Sequence, residues 1–563
     1  MERPIRTFPL GLLLLLFASV GRAQPGTRFS PDPGASLPAP LEDAVTSRHR
    51  ITLGGAAIAY TATAGHLTAR APAGSAPEAA FFYVAYTADG QAPASRPLTF
   101  LYNGGPGSAS LWLHLGSFGP KRLVTGDPST SGKVPFPLVD NPESLLDATD
   151  LVFVDAVGTG LSEAIAPNTN QTFWGVDADA AAFRDFIQRY RTVNRRQASP
   201  LYLFGESYGT PRSAVLANLL GEAGIDLAGV ILQSSILNYN TNGAAGPGIS
   251  CAGFLPTYAA VGAYYQLDHP EPDDLPAFLQ RMRAFAAGSY GPAVTAWLAS
   301  GTPLDGALVS RLTDGTGIAP ALWQQEPNLQ PGDFQSNLLP NILIGRYDAR
   351  VSAPVGSILA SQGDPSSTWI AKPFTDALAA YLTGFLGYAA APEYAVSNGT
   401  ANEIWDFSHD GLPLPDTIPD LAAAITRTPG MKILSLNGYH DLATPFYQTE
   451  LDLARLGGQP ELRIRHYNGG HMVYLDDASR PLERTDLKAF FRGAAHWAPD
   501  SAPSGAPPPF GPGTAPEPAV IGPPMLIDPH VPRDKWRPTP GTGTTGAELR
   551  AQVARKLSSR SKY

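Results

Sequence analysis

The segment Gly205-Glu-Ser-Tyr-Gly209 sets a serine, Ser207, between small residues. An apolar run precedes it, Leu201 to Phe204, and a helical pattern follows it, Thr210 to Leu220. A G-x-S-x-G motif at such a strand-to-helix turn lifts the serine oxygen off the sheet, to the N-terminus of the helix. Backbone N–H groups there favour a developing negative charge. The pattern predicts that Ser207 is a nucleophile. The alternative is a tight turn whose serine only caps the helix.

A serine hydroxyl is a weak nucleophile until a base accepts its proton. In a chain that carries this motif the acid follows the serine, and the histidine comes last. His471 lies late, on a loop after Asn468-Gly-Gly470, just beyond a strand that ends near His466. Such a loop can carry an imidazole over the nucleophile, so we predict that His471 is the base. His440 and His466 are the alternatives.

The acid that orients the base belongs on the loop after the preceding strand. Lys432 to Leu436 has the apolar pattern of that strand, and Asp441 follows it. Its carboxylate would hold the imidazole in the required tautomer and stabilise the cation that forms during catalysis. Asp476 and Asp477 are alternatives, but they follow His471 too closely. A solvated loop acid is the other interpretation of Asp441.

The negative charge of an acyl-transfer intermediate needs two backbone N–H donors. The residue after the nucleophile, Tyr208, provides one of them, and a glycine-rich loop after the first core strand provides the other. That loop is Asn103-Gly-Gly-Pro-Gly107, after the strand pattern Pro97 to Tyr102. It could also be an ordinary turn.

Strand and helix patterns alternate around these residues, which predicts an α/β fold with a mostly parallel central sheet. Four short runs, 48–53, 56–63, 66–70 and 80–86, predict antiparallel strands before it. We divide the rest into a first core part to residue 237, an inserted helical lid over 238–400, a second core part over 401–497 and a Pro/Gly-rich tail over 498–563.

Residues 1–23 have the pattern of a signal peptide: basic Arg3 and Arg6, an apolar run from Phe8 to Val20, and Gly21-Arg-Ala23 as a cleavage site. The run is short for a membrane anchor, which is the alternative. No second long apolar stretch follows. We therefore expect an exported protein, periplasmic or secreted, with no stable membrane insertion after cleavage and a flexible segment over 24–47.

The composition narrows the class of protein. Only 16% of residues are charged, 43% are hydrophobic, and the net charge of -9 is spread along the chain, which argues against a nucleic-acid partner. The single cysteine, Cys251, cannot form an internal disulfide and has no local catalytic signature. His and Asp do not cluster at the spacing of metal ligands outside the residues already assigned, so we expect no metal or cofactor. The oligomeric state is not predicted.

Four motifs occur in order: Asn103-Gly-Gly-Pro-Gly-Ser-Ala-Ser110, Asp155-Ala-Val-Gly-Thr-Gly-Leu-Ser162, Gly205-Glu-Ser-Tyr-Gly209 and Gly470-His-Met-Val473. With them the chain resembles the serine carboxypeptidase family of α/β-hydrolases, in its bacterial form. The resemblance spans roughly residues 80 to 495 and is loose in the lid. It implies an α/β-hydrolase fold, His471 as base and Asp441 as acid. It also implies that Gly105 joins Tyr208 in the oxyanion hole.

The resemblance further implies how the substrate is held. Asn103, Gly104 and two glutamic acids would bind the C-terminal carboxylate of a peptide, and Met472 of the base motif would contact the substrate. Glu206 is one of those acids, but Ser117 stands at the place of the second. Two close carboxyl groups share a proton and bind a carboxylate best in acid. Without the second acid, recognition would be weaker, tuned to another pH, or transferred to basic residues.

These expectations combine into an exported serine peptidase that acts through an acyl-enzyme, with a peptide substrate cut at its C-terminus. An esterase or acyltransferase that uses the same triad is the second interpretation. A non-catalytic binding protein on this scaffold is the third, and the presence of all three catalytic side chains argues against it.

Overall fold

In the computed structural model the described residues are 28–70, 76–126, 136–246, 248–272, 274–388 and 394–493. The expected signal peptide, 1–23, and the expected tail, 498–563, lie outside them. None of the described helices is both long and apolar enough to cross a membrane.

Fourteen strands form within the described residues. They are β1 Asp43–Leu53, β2 Ala56–Arg70, β3 Pro77–Ala88, β4 Leu98–Tyr102, β5 Lys121–Leu123, β6 Leu138–Asp140, β7 Asp150–Val154, β8 Glu163–Ala164, β9 Leu201–Glu206, β10 Gly229–Gln233, β11 Ile342–Ile344, β12 Ser352–Pro354, β13 Lys432–Gly438 and β14 Leu462–Tyr467.

A ten-stranded sheet organises the molecule. Its order is β1-β2-β3-β7-β4-β9-β10-β13-β14, and β8 pairs with β3 at one side. From β7 to β14 all pairings are parallel, whereas β1, β2 and β3 pair antiparallel with each other, and β3 pairs antiparallel with β7. The inner parallel strands are continuous apolar runs because both faces of the sheet are covered. The predicted mostly parallel sheet with antiparallel N-terminal strands is therefore confirmed.

Fourteen α-helices accompany the strands in the described ranges. They are α1 Leu111–Gly116, α2 Val176–Val193, α3 Gly209–Glu222, α4 Leu255–Tyr264, α5 Leu275–Phe285, α6 Gly291–Ser300, α7 Gly306–Thr316, α8 Pro320–Gln325, α9 Pro331–Asn337, α10 Pro365–Ala380, α11 Gly399–Ile404, α12 Ile418–Arg427, α13 Phe446–Ala454 and α14 Ser479–Arg492.

Two apolar cores lie on opposite faces of the sheet. Along β9, Leu201 and Leu203 point into the core under α2, α3 and α12, whereas Tyr202 and Phe204 point into the core under α1, α10 and α14. This alternation follows from the two-residue period of a strand. A third core joins helices α4 to α9 of the inserted segment to Tyr439 and Phe446, so the insertion packs directly behind the loop that carries Asp441.

The N-terminal region differs from the prediction in two ways. The runs 56–63 and 66–70 form one strand, β2, because Gly65 is not a turn residue but a point of close approach: a Cβ there would overlap the backbone oxygen of Asp43. Residues 28–47 are not the free segment that we expected. Phe29 and Leu37 are buried, and regular structure begins at Asp43, not at Arg48.

Candidate active site

Ser207 occupies the sharp turn between β9 and α3. Its φ of 59° is left-handed, which is rare for a residue with a side chain and marks a strained turn. A Cβ at Gly205 would overlap the carbonyl oxygen of Gly209, so only glycine lets the strand and the helix cross so closely. The backbone N–H of Ser207 donates to the Gln233 carbonyl at the end of β10, at 3.0 Å. Ser207 itself is partly exposed, as a nucleophile must be.

His471 and Asp441 are joined by a hydrogen bond. Nδ1 of the imidazole lies 2.8 Å from Oδ2 of Asp441, and both side chains are buried. The other carboxylate oxygen of Asp441 accepts from the backbone N–H groups of Ala443 and Thr444, at 2.8 and 3.0 Å. The Thr444 hydroxyl donates to Oδ2 at 2.6 Å. These donors hold the carboxylate in place against the imidazole.

The imidazole is held from two further directions. The backbone N–H of His471 donates to the Tyr347 carbonyl at 2.6 Å, and the Ser234 hydroxyl donates to the His471 carbonyl at 2.6 Å. Burial lowers the pKa of His471, but the Asp441 carboxylate, its hydrogen bond and the charge of Glu206 raise it more, and the net pKa is above the ordinary value. His471 is therefore a stronger base than a free imidazole.

Residues at the end of β10 bring the serine and the histidine to one edge of the sheet. Gln233 binds the backbone of Ser207, and the adjacent Ser234 binds the backbone of His471. Within the described part of the chain no hydrogen bond joins the Ser207 hydroxyl to the imidazole. Catalytic hydrogen bonds are often long before substrate binds and tighten in the complex.

The glycine-rich loop lies against the turn that carries Ser207. A Cβ at Gly104 would overlap the backbone nitrogen of Tyr208, so the loop and the first turn of α3 touch through their backbones. Gly105 follows with φ of +103°, a conformation that favours glycine. The loop is fixed by Arg212 of α3, which is buried, pairs with Asp179 at 2.6 Å and donates to the Asn103 carbonyl at 2.8 Å.

Asn103 and Glu206 meet beside Ser207. The Asn103 amide donates to Glu206 Oε1 at 2.7 Å and accepts from the backbone N–H of Leu113 at 3.0 Å. Burial raises the pKa of Glu206 to about 7, against the opposing effects of His471, Tyr474 and Asn103. The carboxyl group is therefore half protonated near neutral pH and can donate a hydrogen bond in mild acid.

Two further polar side chains that the sequence did not single out lie near Glu206. The Tyr474 hydroxyl is close to Glu206 and Asn103, without the alignment of a regular hydrogen bond to either. Glu483 of α14 is fully buried, and neither of its oxygens has a hydrogen-bond partner among the described residues. Burial and the charge of Glu206 raise the pKa of Glu483. Neither Tyr474 nor Glu483 belongs to a recognised motif. Both lie after the last of the four motifs, and only the fold brings them close to Glu206.

Ser117 is fully buried and directly follows α1. Its hydroxyl donates to the Leu113 carbonyl of that helix at 2.5 Å. Met472 is half-buried and lines a cavity of about 20 Å³ together with Tyr347 and Trp369.

The alternative catalytic residues are engaged elsewhere. His466 pairs with Glu450 at 2.7 Å, Asp476 pairs with Arg350 at 2.9 Å and Asp477 pairs with Arg480 at 2.7 Å. His440 is buried, and burial lowers its pKa well below the ordinary value.

Cys251 is also removed from this chemistry. It is buried, and its sulfur accepts from the Gln330 amide at 3.0 Å. Burial raises the pKa of its thiol, which removes the thiolate that a nucleophile needs.

The family model of serine carboxypeptidases matches residues 56–243, from β2 to just beyond β10. Over these residues, the chain is similar to the serine carboxypeptidase family. By class it is a serine-type carboxypeptidase and a serine peptidase. The matched segment includes the glycine-rich loop and Ser207, and it ends before Asp441 and His471.

Solved structures with which the chain compares share little sequence with it. A prohormone-processing carboxypeptidase from Saccharomyces cerevisiae, Kex1, is 17% identical with a TM-score of 0.47, covering 77% of this chain and 91% of that one. A proline iminopeptidase from Mycobacterium smegmatis is 15% identical with a TM-score of 0.32, covering 79% of this chain and 98% of that one. A carboxyl esterase from Bacillus coagulans is 13% identical with a TM-score of 0.32, covering 76% of this chain and 97% of that one.

Proposed function

We propose that the chain removes residues from the C-terminus of peptides through an acyl-enzyme on Ser207. The observation that carries this proposal is the pairing of His471 with Asp441 at 2.8 Å, on loops bound to the end of the strand that also binds the backbone of Ser207. The same three side-chain types in this order accelerate acyl transfer on several unrelated folds.

The steps follow from the roles of these groups. His471 takes the proton of the Ser207 hydroxyl as its oxygen attacks the carbonyl carbon of the last peptide bond, and Asp441 stabilises the imidazolium. The N–H groups of Gly105 and Tyr208 donate to the oxyanion. His471 then protonates the amine of the leaving residue. Water, deprotonated by His471, attacks the acyl-enzyme and releases the shortened peptide and Ser207.

Asn103, Gly104 and Glu206 are the proposed contacts for the terminal carboxylate, and Met472 is a proposed contact for the departing residue. The bond between Asn103 and Glu206 supports the first assignment, because a protonated Glu206 and the Asn103 amide offer donors at one place. An esterase or acyltransferase remains the competing activity, because Ser117 replaces an acid of the family pattern.

We also propose that the protein works outside the cytoplasm, periplasmic or secreted, because residues 1–23 have the pattern of a signal peptide. Sequencing the N-terminus of the protein recovered from its producing cells tests this. Cleavage after Ala23 would give Gln24 as the first residue. An intact Met1 to Ala23 segment in the active protein would contradict export by cleavage.

The enzymatic proposal is tested with blocked dipeptides and a serine-directed phosphonate probe. We expect release of the C-terminal amino acid by the parent, and a loss of kcat on the order of 10⁶-fold in Ser207→Ala. Ser310→Ala is the matched control, because Ser310 is exposed on α7 and its hydroxyl donates only to the Gly306 carbonyl. Unchanged turnover in Ser207→Ala would refute the mechanism. Turnover of esters without any release of amino acids would favour the esterase.

A further inference from the structure

A short segment of the insertion, between β11 and β12, is fastened across the proposed catalytic loops. The Arg346 carbonyl accepts from the backbone N–H of Leu442, next to Asp441, at 3.0 Å. The Tyr347 carbonyl accepts from the backbone N–H of His471 at 2.6 Å, and the two rings lie 5.0 Å apart. Arg346 is therefore held at a fixed place beside the imidazole, although it belongs to the insertion.

The guanidinium of Arg346 is available to a ligand. Its side chain is exposed, and the guanidinium carbon stands 5.7 Å from the centre of the Tyr347 ring. The guanidinium group makes no hydrogen bond or ion pair with any residue that the structure describes, whereas the backbone N–H of Arg346 donates to Asp364. Arg350, only four positions along, differs: it is buried, and Asp348 and Asp476 neutralise its charge.

The charge of Arg346 acts on both sides of the proposed site. It opposes the rise in the pKa of His471 on one side. On the other side burial raises the pKa of Tyr239, and the Arg346 charge opposes this too. Tyr239 packs on Phe407, which in turn contacts the ring of Tyr208 beside the nucleophile. The guanidinium thus lies within electrostatic range of both His471 and Tyr239.

The site contains several acidic groups, so a cation there would help it to bind a substrate carboxylate. Glu206 adjoins Ser207, Asp441 pairs with His471, and Glu483 lies within range of the Glu206 charge. Ser117 stands where the family pattern has a further acid. A substrate carboxylate would meet repulsion from any of these groups that is ionised. A planar guanidinium offers two parallel N–H donors that match a carboxylate, and it stays charged at every working pH.

We propose that Arg346 binds a carboxylate of the peptide substrate and makes the enzyme selective for peptides that carry one near the scissile bond. The inference rests on the proposed peptidase function and deepens it. The carboxylate has two sources in a peptide: the terminal carboxylate of the departing residue, or an acidic side chain on the residue before it.

The experiment compares Arg346→Gln and Arg346→Lys with the parent on three substrates. They are a blocked neutral dipeptide with a free terminus, a blocked dipeptide amide with an acidic residue before the scissile bond, and a neutral acyl ester. Arg281→Gln is the matched control, because Arg281 is also an exposed arginine of the insertion and stands 5.7 Å from the ring of Phe278.

We expect KM of Arg346→Gln to rise roughly ten- to a hundredfold on a substrate that carries the recognised carboxylate, as for loss of a hydrogen bond between charged groups, with kcat within about twofold. Arg346→Lys should restore part of the affinity, because it keeps the charge without the paired donors. The ester should be hydrolysed as before by both variants, and Arg281→Gln should match the parent throughout.

The outcomes separate the two proposals. A parent enzyme that hydrolyses neither peptide nor ester contradicts the peptidase function itself. A higher KM on the free-terminus dipeptide alone assigns the terminal carboxylate to Arg346, and one on the acidic amide alone assigns the side chain. An unchanged KM on both carboxylate substrates overturns the inference. So does an equal loss on the neutral ester, because Arg346 would then only maintain the shape of the site.

Discussion

Glu206 adjoins Ser207 in the chain, and its titration opposes that of His471. Burial brings the pKa of Glu206 to about 7, so its carboxyl group is protonated in mild acid and ionised in mild base. A protonated Glu206 can donate to a substrate carboxylate, whereas an ionised one repels it. His471 has a raised pKa and must be neutral to act as a base. Affinity for a carboxylate substrate should therefore fall as pH rises, while the chemical step should slow as pH falls.

The Glu206→Gln variant separates these two effects. In the parent, KM for a free-terminus dipeptide should rise above about pH 7, because burial raises the pKa of Glu206 to about that value. In Glu206→Gln, KM should stay level from pH 6 to 9, because the amide cannot ionise. The fall of kcat in acid should persist, since it belongs to His471. Steady-state kinetics across pH measures both, with the exposed Glu222→Gln on α3 as control. The same rise of KM in Glu206→Gln would contradict the assignment.

At the scale of residues, local motifs were enough to select the candidate triad but not its neighbours. Ser207, Asp441 and His471 each stand next to a turn or strand end that can be recognised from its own segment. No such local sign marks Thr444 or Arg346. The Thr444 hydroxyl binds Asp441, and Arg346 precedes Tyr347, whose ring contacts His471. Their roles depend on contacts between distant segments, and a single sequence does not contain those distances.

At the scale of elements, α2 and α3 support the glycine-rich loop through one buried ion pair. Arg212 on α3 binds Asp179 on α2 at 2.6 Å, and the same guanidinium donates to the Asn103 carbonyl. Both side chains are almost fully buried, at 1% and 3% exposure, so neither charge has water as an alternative partner. Removal of one partner would leave the other charge buried and uncompensated.

We expect Asp179→Ala to lower the free energy of unfolding by about 3–5 kcal/mol, which is the cost of breaking a buried pair. Activity should also fall in the folded fraction, because Arg212 would no longer be held against the Asn103 loop. Urea unfolding followed by fluorescence measures the first effect, and activity at low denaturant measures the second. Glu222→Ala is the control: it breaks an exposed pair with Arg427, and a change below about 1 kcal/mol is expected. A similarly small change in Asp179→Ala would contradict the argument.

The elements were predicted best where burial determines the pattern. The inner parallel strands are apolar on both faces, so their runs could be recognised directly. Gly65 misled the prediction of β2, because glycine marks a turn in one context and a close backbone approach in another. Phe29 and Leu37 lie in a Pro-rich stretch that looked free, yet the core accepts both side chains. Such docking is decided by a partner surface elsewhere in the fold.

At the scale of the whole molecule, His409 connects the two parts of the core. It lies just after the insertion and bonds to one helix of each part. Its Nδ1 lies 2.6 Å from Asp177 at the start of α2, and its Nε2 lies 2.8 Å from Asp420 on α12. The hydrogen bond and charge of Asp420, with those of Asp177, raise the pKa of His409 to about 9. One side-chain ligand atom of each of His409, Asp410 and Asp420 lies within 4.8 Å of the others.

This bridge should make stability depend on pH in a defined direction. Because folding raises the pKa of His409 from about 6.5 to about 9, its contribution is fully present below about pH 6.5 and is lost as pH rises through 9. We expect His409→Gln to lower the free energy of unfolding by about 1.5–3 kcal/mol at pH 6, since it loses hydrogen bonds between charged groups. The difference from the parent should shrink towards pH 10.

Chemical denaturation at pH 6, 8 and 10 measures this dependence. His49→Gln serves as a control with the opposite sign, because burial and the nearby Lys121 lower the pKa of His49. Any contribution from His49 is present above about pH 6.5 and is lost as pH falls through its lowered pKa. A penalty for His409→Gln that is equal at pH 6 and pH 10 would mean that the bridge holds through shape alone. If the loss of unfolding free energy in His409→Gln becomes smaller as pH rises, then the positive charge of the His409 imidazole stabilises the fold. That charge would hold the segment after the insertion against α2 and α12.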